Sequence, residues 1–251
     1  MRARLRLRSP LAALLGMLAL AGCSANKARH DYDPFEPMNR GIFWFNDKAD
    51  EYVLEPVAKG WDVITPQRVK TSVRNFFFNM RFPINLVNNV LQADARETGV
   101  HLARFMVNTT FGVAGLFDPA ADWGLVAQEE DFGQTLGRWG VGPGPYLVIP
   151  VFGPSTLRDA FRFPVDGIIS GVGFTGYGNF FAGAYVVEVV NFRSENLDTV
   201  KRAKEASLDY YSAVRNLYLQ RRQALINDTN FIPEEQSEDL YDVEQYDDEE
   251  P

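Results

Sequence analysis

The sequence predicts a mainly α-helical chain, and two observations carry that expectation. Apolar residues recur at three-, four- and seven-residue spacing in several segments, the pattern of helices with one apolar face. Alternating apolar–polar runs joined by Asn-Gly or Asp-Gly turns, the mark of β-hairpins, are largely missing.

In chain order, residues 1–22 read as an export signal. Arg2, Arg4, Arg6 and Arg8 form a positive start without an acid, and Pro10 to Ala21 is a run of 12 apolar or small residues. That run is too short to cross a bilayer as a helix, which needs about 20 residues. Leu20-Ala21-Gly22-Cys23 closes the segment and is similar to a bacterial lipobox, which implies cleavage between Gly22 and Cys23 and a diacylglyceryl group plus an acyl chain on the cysteine. Cys23 is the only cysteine in 251 residues, so no disulfide competes for it. Several acyl chains anchor stably where one holds marginally. Ser24 follows, rather than the aspartate that in many bacteria resembles an inner-membrane retention signal. The expected location is the periplasmic face of an outer membrane, with residues 23–32 as a lipidated tether.

The body is expected to be one domain over 33–232, followed by an acidic disordered tail over 233–251. The chain carries −8; the signal's four arginines leave −12 on the rest, and ten acids in the tail leave only −2 on the body. A near-neutral body with 19 Phe in the chain suits contact with apolar matter and offers no basic field for nucleic acid. The tail reads as a solvated run or as a docking segment for a basic partner, and both readings stay open.

Asp33 to Arg40, with prolines at 34 and 37, marks a turn and then a helix start. Ile42-Phe43-Trp44-Phe45 continues it as an aromatic run of the kind usually buried. Thr65-Pro66 reads as a cap with proline at the first helical position. Val69, Val73, Phe76 and Phe77 follow at helical spacing, and Asn79 to Pro83 breaks the segment. Ile84, Val87, Val90 and Leu91, then Leu102, Phe105 and Met106, repeat the pattern. Leu197, Val200, Leu208, Tyr211, Val214, Tyr218 and Leu225 predict one C-terminal helix.

Two stretches resist this account. Trp139 to Leu157 has 19 residues without a charge but holds four prolines and four glycines. Gly167 to Val187 has 21 uncharged residues and six glycines. Proline density rules out a continuous helix in the first, and irregular backbone at membrane depth survives only where protein or water satisfies it. These segments are expected to dip into a membrane or line a channel; buried loops of a soluble core are the competing reading.

Catalytic chemistry is not expected. The two histidines, His30 and His101, are isolated, so a typical zinc cluster is excluded. Gly153-Pro154-Ser155-Thr156-Leu157 lacks the second glycine of a nucleophile elbow. Gly171, Gly173 and Gly176, with Glu195 downstream, match a dinucleotide fingerprint only in spacing. No cofactor beyond the lipid on Cys23 is expected.

Several motifs together are similar to the MlaA/VacJ family of outer-membrane lipoproteins. They are Asp33-Pro34-Phe35-Glu36-Pro37-Met38-Asn39-Arg40, Asn75-Phe76 with Asn88 and Leu91-Gln92, and Asn108-Thr109-Thr110-Phe111-Gly112 with Gly115-Leu116-Phe117-Asp118. Glu130-Asp131-Phe132-Gly133-Gln134-Thr135-Leu136-Gly137, Trp139 to Tyr146, Gly153-Pro154-Ser155 with Leu157-Arg158-Asp159, and Tyr211…Arg215…Tyr218…Arg221-Arg222 follow in register. One departure is Phe161-Arg162-Phe163, where relatives often carry glycine. The resemblance implies a single helical ring, partly embedded in the periplasmic leaflet, around an amphipathic central pore. It implies removal of mislocalised phospholipid from the outer leaflet, association with a trimeric porin, and hand-over to a periplasmic lipid-carrier protein, so that lipid asymmetry is maintained without bond chemistry. A structural lipoprotein bracing porins without a lipid path is the alternative. Phe43, Trp44 and Phe45 are expected at the pore's lip, and Gly142, Gly144, Pro145 and Tyr146 in a segment that lines or gates it.

Overall fold

The structure, a computed structural model, describes residues 33–171 and 178–228. The signal peptide, Gly22, Cys23 and its tether, the acidic tail, and 172–177 with two glycines of the fingerprint spacing lie outside the described residues.

Helix α1 (Glu36–Ala49) starts with Pro37 in its first turn, where a missing N–H costs nothing. It widens into one π-helical turn, Asp50–Leu54, and resumes as α2 (Glu55–Ile64). The Glu55 N–H reaches back five residues to the Asp50 carbonyl, and Pro56 then has no N–H to give. The proline ring would crowd the carbonyl four residues earlier, and the wider turn relieves that clash.

Helix α3 (Gln67–Met80) begins one residue later than the Thr65-Pro66 reading. Pro66 itself is the cap, at φ −58° and ψ 149°, and its carbonyl accepts from Val69 and Lys70. Thr65 is held extended because the following proline disfavours the helical region. The expected break gives α4 (Phe82–Leu91), again with proline in the first turn. Next come α5 (Ala95–Thr110), capped by Asp94, and the short α6 (Pro119–Asp122), capped by Asp118. Helix α7 (Phe132–Arg138) is capped by Asp131.

The first uncharged stretch forms a hairpin that the sequence did not signal. Strands β1 (Tyr146–Ile149) and β2 (Gly153–Thr156) pair antiparallel, Tyr146 opposite Thr156 and Ile149 opposite Gly153. Pro150-Val151-Phe152 makes the turn, with Val151 at φ 69°, so no glycine-bearing dipeptide advertises it. The outer edge of β1 is completed by a helix. Asn39 donates to the Tyr146 carbonyl (3.0 Å) and accepts from Val148 N–H (2.9 Å). Two turns along, Asn46 does the same for the Ile149 carbonyl (3.0 Å) and Val151 N–H (2.8 Å). Side-chain amides thus stand in for a third strand, which leaves no open edge there.

Helices α8 (Leu157–Ala160), α9 (Arg162–Ile169), α10 (Gly178–Glu195), α11 (Leu197–Ala206) and α12 (Tyr210–Ile226) complete the chain. The expected single C-terminal helix is two: Ser207 and Asp209 are extended, and Leu208 between them is fully exposed. Asp209 leaves the helix to bind Arg40 through two oxygens at 3.1 and 2.6 Å, and accepts from Ser212 at 2.6 Å. No helix among the described residues is long and apolar enough to cross a membrane.

The elements touch in a closed circuit. Helix α2 packs on α10, α10 on α3, α3 on α4, α4 on α7, α7 on α12, α12 on β2, and β1 on α1, which returns to α2 through the π turn. The domain is a helical ring. Its burial is inverted: among the described residues, Asn39, Asn85, Asn88, Asn89, Thr135, Ser155, Thr156 and Asp159 are the largest side chains shut off completely. Val87, Val90, Leu91, Leu102 and Met106, which carry the helical periodicity of α4 and α5, are exposed instead. Scattered exposed apolar residues are ordinary, but buried polar ones are informative. The compact apolar core is small: Tyr146, Val148 and Tyr211, with Ile42, Phe43, Tyr218 and Leu219 around them.

Candidate functional site

Polar clusters lock the wall of the ring. Arg222 of α12 donates to both oxygens of Asp131 (2.6 and 2.9 Å) and to Asp159 Oδ1 (3.1 Å). Asp159 also accepts from Arg158 Nε (2.9 Å) and Tyr218 OH (2.8 Å). The bidentate contact is the strongest form of such a pair, and it holds Asp131 down at about 2 despite burial. Gly133 lets α7 come this close: a Cβ there would lie 2.8 Å from Arg222 Nη2 and from Asp159 Oδ1. Gly137 is equally tight against Ile226. The glycines of the 130–137 motif therefore serve close helix approach, not flexibility.

A second cluster joins α4 to α7. Thr135 Oγ1 donates to Asn88 Oδ1 (2.8 Å), Gln92 donates to Glu130 (2.8 Å), and Glu130 N–H donates to Asn85 Oδ1 (3.0 Å). Burial pushes the Glu130 carboxyl up to about 7. Near the chain's start, Asp33 accepts from Asn39 (2.9 Å) and from the Tyr211 hydroxyl. At the turn after α5, Asp118 binds Arg104 (2.7 Å) and Asn108 (2.8 Å). His101 bonds the Gln128 carbonyl (3.0 Å) and lies against Phe78, a structural role; burial lowers its pKa.

The candidate site is a charged group that is both accessible and deep. Arg81, in the α3–α4 break, exposes 38% of its side chain, yet desolvation is the largest single influence on it. Nearby carboxylates, led by Glu129 and Glu188, outweigh that effect and raise its pKa. Glu188 and Tyr185 on α10 are pushed up by burial although they too remain accessible. Asp166 of α9 is pushed up to about 6, first by burial and then by Asp131. These side chains, each partly exposed and partly enclosed, form one charged cluster where the α3–α4 break meets α9 and α10.

The same space has an aromatic side. Phe152 at the hairpin tip meets Phe163 of α9 (centroids 4.9 Å) and Tyr185 of α10 (6.2 Å). The Arg162 guanidinium lies over Phe163 at 4.7 Å. The motif departure at 161–163 thus supplies a cation and a ring to this wall. Charges meet aromatics here, and no nucleophile–base pair lies among these residues.

Of the residues singled out in the sequence, Phe43 points inward, 5.4 Å from both Tyr210 and Tyr211. Trp44 (64% exposed) and Phe45 (51%) are open to the surroundings. Tyr146 packs in the core, 2% exposed and edge-on to Tyr211 and Tyr218; a ring used for packing is not part of a mobile gate. Its alternating strand placement, invisible without a hairpin signal, turns it inward. Gly142 has open space around its Cα. Gly144 sits at φ +66°, a corner only glycine makes easily. Leu157 N–H donates to the Pro145 carbonyl (3.0 Å) and Arg158 N–H to that of Pro143 (3.1 Å), pinning this loop to α8. Arg81, Glu129, Glu188 and Phe152 of this cluster escaped the sequence reading, and Phe163 entered it only as a motif departure. One signal pointed to Arg81, a charge inside a helix break between apolar segments. Glu195, at the fingerprint spacing, is engaged by Arg74 (2.9 Å) and Gln67 (3.1 Å).

Known proteins resemble this chain along most of its length. The MlaA lipoprotein family profile matches residues 31–225. An Escherichia coli protein named intermembrane phospholipid transport system lipoprotein MlaA is 32% identical over 242 residues, covering 92% of this chain and 96% of its own. The protein of that name in Haemophilus influenzae is 30% identical, covering 93% and 96%. An uncharacterized protein of Rickettsia bellii is 36% identical, covering 80% and 79%. A solved structure, described as the structural basis for maintenance of bacterial outer membrane lipid asymmetry, superposes with a TM-score of 0.69 at 35% identity, covering 78% of this chain and 99% of that one. With its helical ring and its motifs in register, the chain belongs to the MlaA lipoprotein family.

Proposed function

We propose that this protein moves phospholipid out of the outer leaflet of an outer membrane, through the passage of its ring, toward a periplasmic lipid-carrier protein. The observation that carries the reading is the inverted burial. Polar side chains are buried between the elements of the wall, apolar side chains of α4 and α5 are exposed, and a charged cluster adjoins aromatic rings where the α3–α4 break meets α9 and α10. An outward apolar belt without a spanning helix fits a ring lying in one leaflet. A lipid in transit needs polar partners for its head and an apolar wall for its tails, and no bond is made or broken.

In this reading Cys23 carries the lipid that delivers the ring to the periplasmic face, and a trimeric porin stands beside it. Trp44 and Phe45 sit at the bilayer surface, where amphipathic rings are favoured. Gly142, Gly144 and Pro145 shape the mouth of the passage. The names of the Escherichia coli and Haemophilus influenzae relatives support the transport role.

The test is complementation of a strain lacking its own family member, reading outer-leaflet phospholipid and resistance to detergent with chelator. Rescue by the wild type and failure by Phe152→Glu, with the variant present at normal level, is the expected result. Full rescue by variants that obstruct or charge the aromatic side of the passage would overturn it and leave a porin brace.

A further inference from the structure

We infer that Arg81, Glu129 and Glu188 form a headgroup site for a zwitterionic, ammonium-bearing phospholipid, a reading that rests on the transport role proposed above. The first ground is unused bonding capacity. A guanidinium offers five donors, and Arg222 and Arg193 in the wall each use two nitrogens at 2.6–3.0 Å. Arg81 engages only Nη1, with Glu188 at 3.4 Å and Glu129 at 3.7 Å, both longer than a tight charge-assisted bond. Its Nη2 donates to nothing among the described residues, and its Nε is buried without a partner, as one nitrogen of Arg222 and of Arg193 is too.

The second ground is charge. Two carboxylates flank one guanidinium, so a bare phosphate brought to Arg81 would meet them as repulsion. A phosphate joined by a short link to an ammonium meets both signs at once: the guanidinium takes the phosphate in its planar fork, and the glutamates take the ammonium. The other acids nearby are committed, Asp131 to Arg222 and Asp166 to Asn88 (3.3 Å) and the Phe132 N–H (3.2 Å). The third ground is position. Tyr185 lies three residues before Glu188 on the same helix and touches Phe152, so the charged site adjoins the aromatic wall that would meet glycerol and chains. A glycerol headgroup satisfies Arg81 alone and leaves two carboxylates against an anion.

The experiment uses the full chain in detergent, offered equal amounts of phosphatidylethanolamine and phosphatidylglycerol with identical acyl chains, and counts bound lipid by native mass spectrometry. The expected result is a preference for the ethanolamine lipid on the order of tenfold, the effect of one charge-assisted contact. Glu129→Gln with Glu188→Gln should abolish the preference while lipid still binds, and Arg81→Gln should weaken binding of both lipids. Circular dichroism confirms that each variant is folded. Equal binding of the two lipids by the wild type, or a preference untouched by the glutamine pair, overturns the headgroup site and leaves transport standing. No lipid bound at all overturns the transport reading with it.

Discussion

Replacing Arg222 with methionine keeps much of the side chain's volume and removes the charge that joins α12 to α7 and α8. Asp131 then loses bonds of 2.6 and 2.9 Å, and Asp159 loses one of 3.1 Å. Asp159 keeps Arg158 and Tyr218, but Asp131 keeps only the Gln134 N–H (2.9 Å) and a loose approach of Arg162 (3.6 Å). Breaking a buried pair costs about 3–5 kcal/mol because the other charge stays buried. The remaining partners place Arg222→Met near the lower end, about 3 kcal/mol. The acid limb gives a second readout. Asp131 falls from 3.8 to about 2 on folding, so its contribution of about 2 kcal/mol is whole above about pH 4 and vanishes as pH falls toward 2. Without Arg222 its pKa rises, and that loss begins at higher pH. Urea unfolding of the detergent-solubilised protein, followed by tryptophan fluorescence at pH 7 and pH 4, measures both. A loss under about 1 kcal/mol at pH 7, the size of an exposed pair, would refute the claim that this cluster locks the ring.

Glu130→Gln should act in the opposite direction. Its folded pKa of about 7 exceeds the ordinary 4.5, so its cost is absent below about pH 4.5 and grows as pH rises through 7. Melting at pH 5 and pH 8 should show the variant more stable at pH 8 by up to about 3 kcal/mol, with little change at pH 5; an identical pH profile would contradict this. Gly133→Ala should cost about 1–3 kcal/mol, since its Cβ would press on Arg222 and Asp159. Gly41→Ala, in open space on α1, should be neutral or stabilise by about 0.5–1 kcal/mol, and equal melts for the two variants would discount the close approach. Labelled palmitate should enter the wild type and not Cys23→Ser; equal incorporation in both rules out the anchor.

Helix starts and stops were legible because local chemistry sets them. Pro37, Pro83 and the Asn79–Pro83 break all act within a turn of their own position. The β-hairpin was not legible. Its edge is satisfied by Asn39 and Asn46, about a hundred residues away in sequence, and its turn holds Val151 at positive φ in place of a glycine signal. The break at Ser207–Asp209 was hidden for a similar reason. Periodicity runs through it, while Arg40, 169 residues upstream, pulls Asp209 out of the helix.

The sequence by itself determined where helices run, and motif by motif it marked the family. It could not say which face of each helix is inside. Periodicity shows that α4 and α5 have an apolar stripe and a polar one, but a stripe reads the same whether it meets a core or a bilayer. The tertiary structure decided that question by closing the elements into a ring. Asn85 could then accept from the Glu130 N–H and Asn88 from the Thr135 hydroxyl, while Val87, Val90 and Leu91 stayed exposed. The cluster of Arg81, Glu129, Glu188, Phe152 and Phe163 exists only because that closure brings five distant segments together.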